Sequence, residues 1–496
     1  MERKISRQIA VWVKSPGGLL IVCGPAGTVN RETVIAEALG TFAAVSYADA
    51  EDRSVREAGR SARGRLKRFL ELMPEGFFLK KPKEEHSRLR IKNWWKVFIF
   101  NEPFRDHAVR KIFQAIGEEY YSRIAVTTYL SPAAEKILQG GYKLLRAGPI
   151  SFTEFALELG EEETVRSILE SFAAWKADDG LHRKAGALFA DYMAVGGMPD
   201  AVARFAQTRN NDEVRTVQKA IWTSWKESVR TDAGPLADAA LEALSELVRS
   251  LASGACLETA AADKRLEALK WLSKAGYVLE AKHSKGQPKD AAPLPSRWYL
   301  ADTGVLAAAT EAEGLSAMSA SEGGRAGLRR NLAAQVLSAS GYPLFYFANE
   351  TRTVHFDFMV PFYYRPEIKA YWNTFFNKLR REDVPAPLPL LAPRIRPSDI
   401  NSGDFLYIPE KSRNKPAYTA VPLVFDAAFA PDEVHALFRN HEGVHSGPYV
   451  LSDEKPEIRE DFVRLPFYMA PFISWVPEEF AKEWNSYLDQ VYVSVR

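Results

Sequence analysis

The residues whose types and spacing best suit chemistry lie between Leu19 and Thr33, in the stretch LLIVCGPAGTVNRET. Gly24 and Gly27 offer backbone without side chains, Thr28 a hydroxyl, and Asn30 and Arg31 polar groups at the start of a helical pattern, Val34-Ile35-Ala36-Glu37-Ala38-Leu39. A short apolar strand, a glycine-bearing break and a helix make the frame of a phosphate-binding loop. That loop reads G-x-x-x-x-G-K-[ST]: backbone N–H groups cradle phosphates, the lysine reaches the β- and γ-phosphates, and the hydroxyl holds Mg²⁺. Laid on Gly24, the chain places Val29 at the second glycine, Asn30 at the lysine and Arg31 at the hydroxyl. The frame is present without its charged groups. Backbone N–H groups at Gly24, Gly27 and the helix start could still receive an anion, with Arg31 against it.

The partner motif belongs at the end of the apolar run Lys96-Val97-Phe98-Ile99-Phe100, where acidic residues help to hold Mg²⁺. Here the run ends Asn101-Glu102. An asparagine lacks the negative charge that a hard divalent cation prefers. Glu102 could polarise a water, but a lone strand-end glutamate is expected as a solvated carboxylate. The candidate nucleotide-contacting set is Gly24, Gly27, Thr28, Asn30, Arg31 and Glu102, with no catalytic residue and no metal ligand assigned.

The elements that must position these groups alternate. Val45 to Asp49, Lys96 to Glu102 and Arg123 to Thr128 read as further strands, and Ala108 to Tyr120 as a helix. Apolar strands separated by helices predict a parallel sheet covered on both faces. Residues 50–93 read as helical and then loop. Two basic clusters lie in and beside this stretch, one from Arg53 to Arg68 and one from Lys80 to Lys96. Each reads either as a solvated face or as a patch towards nucleic acid or an acidic partner.

Several stretches, in order, resemble bacterial and archaeal AAA-type ATPases that carry a winged helix and a restriction-nuclease-like C-terminal domain of unknown function. Gly24-Pro25 sits where that family has GPRQVGKTT, and VFIFNEP (Val97 to Pro103) matches its strand ending in aspartate-glutamate. GPISFTEF (Gly148 to Phe155) is similar to PLSFxEF, YMAVGGMPDAV (Tyr192 to Val202) to GGxPxxV, and WYLADTGVLAAA (Trp298 to Ala309) to YxxDxGL. The resemblance implies an α/β fold: a P-loop NTPase-like parallel sheet (1–150), a helical lid (151–235), a winged helix (236–310) and an α+β nuclease-like domain (311–496) with an insertion at about 361–420. The chain departs from the family at its charged positions. A candidate arginine finger before PLSFxEF is replaced by Gly141-Tyr142, with Lys143 and Arg146 nearby.

Within 151–231 the pattern is helical, with a turn at Gly196-Gly197 and Pro199; Trp222 and Trp225 share a helix face and read as core. Asp232-Ala233-Gly234-Pro235 reads as a linker. A helix through Leu241 to Leu251, a second through Leu266 to Leu272, and strands at Tyr277 to Leu279 and Arg297 to Leu300 give the winged-helix order. On its recognition helix and wing, Lys264, Arg265, Lys270, Lys274 and Lys285 are the candidate duplex-DNA contacts. A domain-packing or protein-contact role fits the segment equally.

In the C-terminal region the resemblance implies an acidic helix residue, then E-x-D-F, then E-V-K. The chain has Arg330 at the position of the acidic helix residue, directly before the helix Asn331 to Ser340, and His355-Phe356-Asp357-Phe358 on a strand. For the third element, Glu367-Ile368-Lys369 is the literal match. The alternative, Pro422 to Asp426, begins a run that accounts for the whole tail and leaves the nuclease site without its glutamate and lysine.

An ordinary globular composition, 46% hydrophobic with net charge +2, excludes a polyanion-binding tail as the whole molecule. Two cysteines make no disulfide framework or zinc site, and His435, His441 and His445 lack metal-site companions. No run has the length and apolarity of a membrane span, so a cytoplasmic chain with no membrane partner is expected. The leading expectation is a catalytically degenerate binding or scaffold module that contacts DNA or a protein partner and requires no cofactor. Two alternatives stay open: a protein that binds ATP weakly, or hydrolyses it slowly, at a non-standard site, and a metal-dependent nuclease using Asp357, Glu367 and Lys369.

Overall fold

The computed structural model describes residues 4–14, 18–28, 31–73, 75–80, 96–118, 122–138, 141–174, 177–260, 262–283, 295–341, 343–348, 355–362, 417–421, 449–458 and 463–473. They fall into two compact units. The first comprises Met1–Pro149, Thr223–Ala237 and Lys274–Tyr277; the second comprises Ile150–Trp222, Asp238–Ser273 and Val278–Arg496.

In the first unit the described strands are β1 (Leu19–Cys23), β2 (Ala44–Asp49), β3 (Phe78–Lys80), β4 (Lys96–Asn101), β5 (Ser122–Thr127) and β6 (Tyr142–Arg146), in the order β3-β2-β4-β5-β1-β6. Neighbours run parallel except β2 and β3. Strand side chains alternate between faces, and β1 shows what that does. Leu19, Ile21 and Cys23 enter one core with Phe100, Val109 and Phe113. Leu20 and Val22 enter another with Ile9, Trp12, Val34 and Ala38. Helices Lys4–Lys14 and Arg31–Thr41 therefore cover one face, and Arg53–Ala62, Leu66–Leu72 and His107–Glu118 the other. The chain leaves β1 for β2 on one side and later returns to place β6 on the other. The loop after β1 thus lies at the point where strand order reverses, the usual ligand crevice of an open α/β sheet. This is a mixed α/β architecture built on a largely parallel sheet.

The edge strands β3 and β6, with helices Lys4–Lys14 and Pro132–Leu138, are absent from the sequence-based expectation. At β6 the reason is visible: only Leu145 is fully buried, so the strand has no continuous apolar run. The segment expected as a linker is also different. Asp232 is the last residue of helix Asn211–Asp232, and a short helical turn, Gly234–Leu236, leads directly into helix Ala237–Ala252.

The second unit opens with helices Phe152–Glu158, Glu162–Ala174, Asp179–Val195 and Pro199–Thr208. The first of these starts in a full capping box between Ser151 and Glu154. Its larger sheet holds β7 (Leu257–Thr259), β8 (Val278–His283), β9 (Ser296–Leu300), β10 (Phe345–Ala348), β11 (His355–Phe362) and β12 (Ala417–Val421), in the order β12-β11-β10-β8-β9-β7. β8 and β9 form an antiparallel hairpin, and β10 pairs parallel with β8. The strands expected of a winged helix and those expected beyond residue 310 therefore share one sheet. Phe362 stands opposite Ala417 in the β11–β12 register. β12 lies ahead of the expected strand Pro422 to Asp426, which falls outside the described residues together with the expected helix Asp432 to Arg439. β13 (Tyr449–Ser452), β14 (Glu457–Ile458) and β15 (Val463–Pro466) form a small sheet that leads into the helical turn Phe467–Phe472.

Candidate functional site

The loop after β1 is a compact turn held by protein groups. Gly24 N–H donates to Thr127 O at 3.2 Å, and Thr28 N–H donates to Pro25 O at 3.0 Å. Two amides that a phosphate cradle would use are therefore engaged with carbonyls. The Thr28 hydroxyl is fully buried and faces Pro25 O at 2.7 Å and Ala147 O at 3.4 Å. Ala26 O accepts from the indole N–H of buried Trp225 at 2.9 Å. Gly24 is required by this packing, since a Cβ there would sit 2.2 Å from Ala147 O. Gly27 is exposed, with φ +84°. Asn30 lies outside the described residues. Arg31 begins the following helix, and its side chain is likewise outside them.

Thr127 links this loop to the end of β4. Its carbonyl takes the Gly24 N–H, while its hydroxyl donates to Glu102 Oε2 at 2.9 Å. Glu102 is 5% exposed, so the expected solvated carboxylate is corrected. The cause is a left-handed backbone, φ +48°, that turns it back onto β5. Its other oxygen, Oε1, accepts from Thr128 N–H at 2.7 Å, and Arg105 Nε lies 3.4 Å from Oε2. Burial pushes the Glu102 carboxyl up from its ordinary range, against the pull of Arg105 and of the Thr128 and Thr127 hydrogen bonds. Arg105 also donates to Asp232 Oδ2 at 2.8 Å and to the Thr128 hydroxyl at 2.9 Å, and pairs with Glu51. Three carboxylates thus share one guanidinium. Asn101 is not a vacant metal position either: its side-chain amide donates to Asp49 Oδ1 at 3.2 Å. Arg146, near the expected arginine finger, donates to Lys274 O at 3.0 Å.

The second expected site shows the same substitution. Asp357 is 8% exposed and accepts from Arg330 Nε at 2.8 Å, while Arg330 Nη1 donates to Gly254 O at 2.8 Å. A guanidinium stands against the carboxylate that a nuclease would turn to a divalent cation. Glu367 and Lys369 lie outside the described residues. Among the described residues no group of three or more His, Cys, Asp and Glu could hold a metal ion.

The expected DNA contacts divide. Lys264 and Lys270 are exposed. Arg265 is held by Asp263 and Glu246, which raise its pKa. Lys274 pairs with Glu135 at 3.1 Å. Lys285 is outside the described residues. No helix among the described residues is long and apolar enough to cross a membrane.

Sequence reasoning missed Arg105 and the bonding roles of Asp232, Trp225 and Arg330, although it read Trp225 as core and that residue is buried. Arg105 was the detectable one, three residues after Glu102; Asp232 and Trp225 come from a helix far along the chain with no local signal.

No family model matches the chain, and no curated protein matches it. Among solved structures, a Walker-type ATPase of Pyrococcus abyssi aligns at 12% identity over 62% of this chain and 95% of that one, with a TM-score of 0.33. PCH-2 of C. elegans aligns at 9% identity over 45% of this chain and 67% of that one, with a TM-score of 0.27.

Proposed function

We propose that the chain is a non-hydrolysing binding or scaffold protein built on a P-loop ATPase-like sheet, with a winged-helix-like segment at 236–310 and a nuclease-like C-terminal fold whose metal chemistry is also lost. The clamp on Glu102 carries this reading. A carboxylate that polarises water needs an oxygen facing the reaction; here one oxygen accepts from the Thr127 hydroxyl and the other from Thr128 N–H, with the Arg105 guanidinium paired against the first. The loop beside it supports the reading, because its hydroxyl and two of its amides are bonded to carbonyls. Such a fold holds surfaces for a partner in fixed geometry without a chemical cycle.

Thermal melting with and without Mg-ATP, paired with a phosphate-release assay, tests this. A ligand at a hundredfold excess over its Kd stabilises the native state by about 2.7 kcal/mol. The expected result is no shift and no release. Phosphate release that disappears in Glu102→Gln would overturn the proposal.

A further inference from the structure

The strongest unassigned surface is the basic turn between helices Arg53–Ala62 and Leu66–Leu72. Residues 53–72 hold seven Arg or Lys against two Glu, in a chain whose net charge is only +2. Arg63, Arg65 and Lys67 are exposed, and none has a carboxylate partner among the described residues. Arg53, Arg60 and Arg68 reach Glu57, Asp106 and Glu71, but their side chains stay 86%, 67% and 56% exposed. Ion pairs that exposed contribute about 0–1 kcal/mol and can be exchanged for a stronger anion.

The platform beneath these charges is rigid. Val55, Ala58, Ala62, Leu66 and Phe69 pack into the core with Phe100 and Phe113. The turn itself is fixed by Arg63 N–H to Arg60 O and Arg65 N–H to Ala62 O. It places Arg63 and Gly64 both in left-handed backbone, φ +50° and +79°. An L residue there costs about 1–2 kcal/mol, so a strained arginine stands at the apex where asparagine or glycine would fit more easily. Along the first helix, Arg53 and Arg60 are two turns apart on one face, about 10 Å. A duplex presents a phosphate every ~3.4 Å of axis on each strand, so the row and the turn together meet several phosphates. Six of the seven cations are arginine, the side chain suited to forked phosphate contact. Exposed Ser54 and Ser61 add hydroxyls of the kind that contact phosphate oxygens.

We infer that this turn, rather than the segment carrying Lys264 and Lys270, is a sequence-independent docking surface for the phosphate backbone of duplex DNA. The test is fluorescence anisotropy of the full-length chain on a labelled duplex of about 20 base pairs, from 50 to 300 mM salt. Wild type should bind at 50 mM, with log K falling against log salt at a slope of about −2.7 or steeper, the value for three phosphates. Arg63→Ala/Arg65→Ala/Lys67→Ala should keep its melting temperature, since all three side chains are exposed. It should lose at least about tenfold in affinity at 100 mM and flatten the slope by about 2.7, the share of the three cations removed. Lys264→Ala/Lys270→Ala should bind as wild type. The inference falls if the triple variant binds like wild type, if no binding is seen at 50 mM, or if the loss follows the Lys264/Lys270 pair. Tighter binding to poly-glutamate than to duplex would also overturn it, in favour of an acidic polypeptide.

Discussion

A carboxylate at the end of a buried strand needs a cation, a set of donors, or a proton. In a nucleotide hydrolase a bound metal ion meets part of that need; in this chain Arg105 does. Removing the partner of a buried pair leaves an uncompensated charge and typically costs about 3–5 kcal/mol. Arg105→Ala should therefore lower stability by about 3 kcal/mol, the lower end because the guanidinium is 25% exposed, and a melt in urea reads it. A smaller effect than about 1 kcal/mol would mean that Thr127 and Thr128 suffice. Asn101 makes a second, opposite case. It stands directly across from Asp49 in the β2–β4 register and donates to it. Restoring the expected acid, Asn101→Asp, puts two like charges in contact and should destabilise the chain by about 0.2–1 kcal/mol at pH 7, less at high salt, as melts across salt would show. That an asparagine stands where the resembled motif has an acid could be read from the sequence. That the asparagine had acquired a partner could not, because the partner lies on another strand.

At the scale of elements, the stretches that carry the family resemblance prove to hold one another. The Gly196-Gly197 turn meets the start of helix Thr303–Ala312: Gly197 N–H donates to Asp302 Oδ2 at 2.6 Å, and Val305 N–H to Oδ1 at 2.8 Å. Gly196 has φ +74°, and a Cβ there would lie 2.3 Å from Asp302 Oδ1. Glycines and a helix-capping aspartate are visible as residue types, so the turns and the helix start were legible. Their partnership was not, because it spans more than a hundred residues. Asp302 is fully buried, and burial raises its pKa to about 6 despite its backbone donors. An unfolded aspartate titrates near 3.9. The folded state thus binds the proton more tightly, and this residue's contribution to stability falls as pH rises from about 4 to 6, by up to about 3 kcal/mol. In Asp302→Asn that fall is absent. The melting temperature of wild type relative to the variant should therefore decrease across that window and level off above it; a constant difference would place the carboxyl in its ordinary range. Trp225→Phe isolates the loop contact in the first unit. An aromatic ring is kept, though a smaller one, while Ala26 O loses its donor, at a cost of about 1–3 kcal/mol for the hydrogen bond. Faster amide exchange confined to residues 24–28 is the expected sign.

On the scale of the whole chain, the first sheet was legible because its central strands are continuous apolar runs between helices. The second was legible only in pieces. The parallel pairing of β8 with β10 joins Lys282 to Phe345, and nothing local to either strand announces it. A boundary drawn at residue 310 from motif order accordingly divides one sheet. The same sheet defines a test of the expected insertion. Because β11 and β12 are antiparallel neighbours with Phe362 opposite Ala417, a two-residue turn is geometrically sufficient to join them. Closing a flexible loop costs about 0.6 kcal/mol for each doubling of its length. If residues 363–416 serve only to close the chain between these two strands, exchanging them for Asn-Gly removes nearly five doublings, about 3 kcal/mol in favour of the shorter chain. A chain shortened in this way should melt at the same temperature as the full chain or higher, and should keep the Asp357–Arg330 pair. A fall of more than about 4 °C, the equivalent of roughly 1–2 kcal/mol in domains of this size, would show instead that the removed segment stabilises the sheet it interrupts.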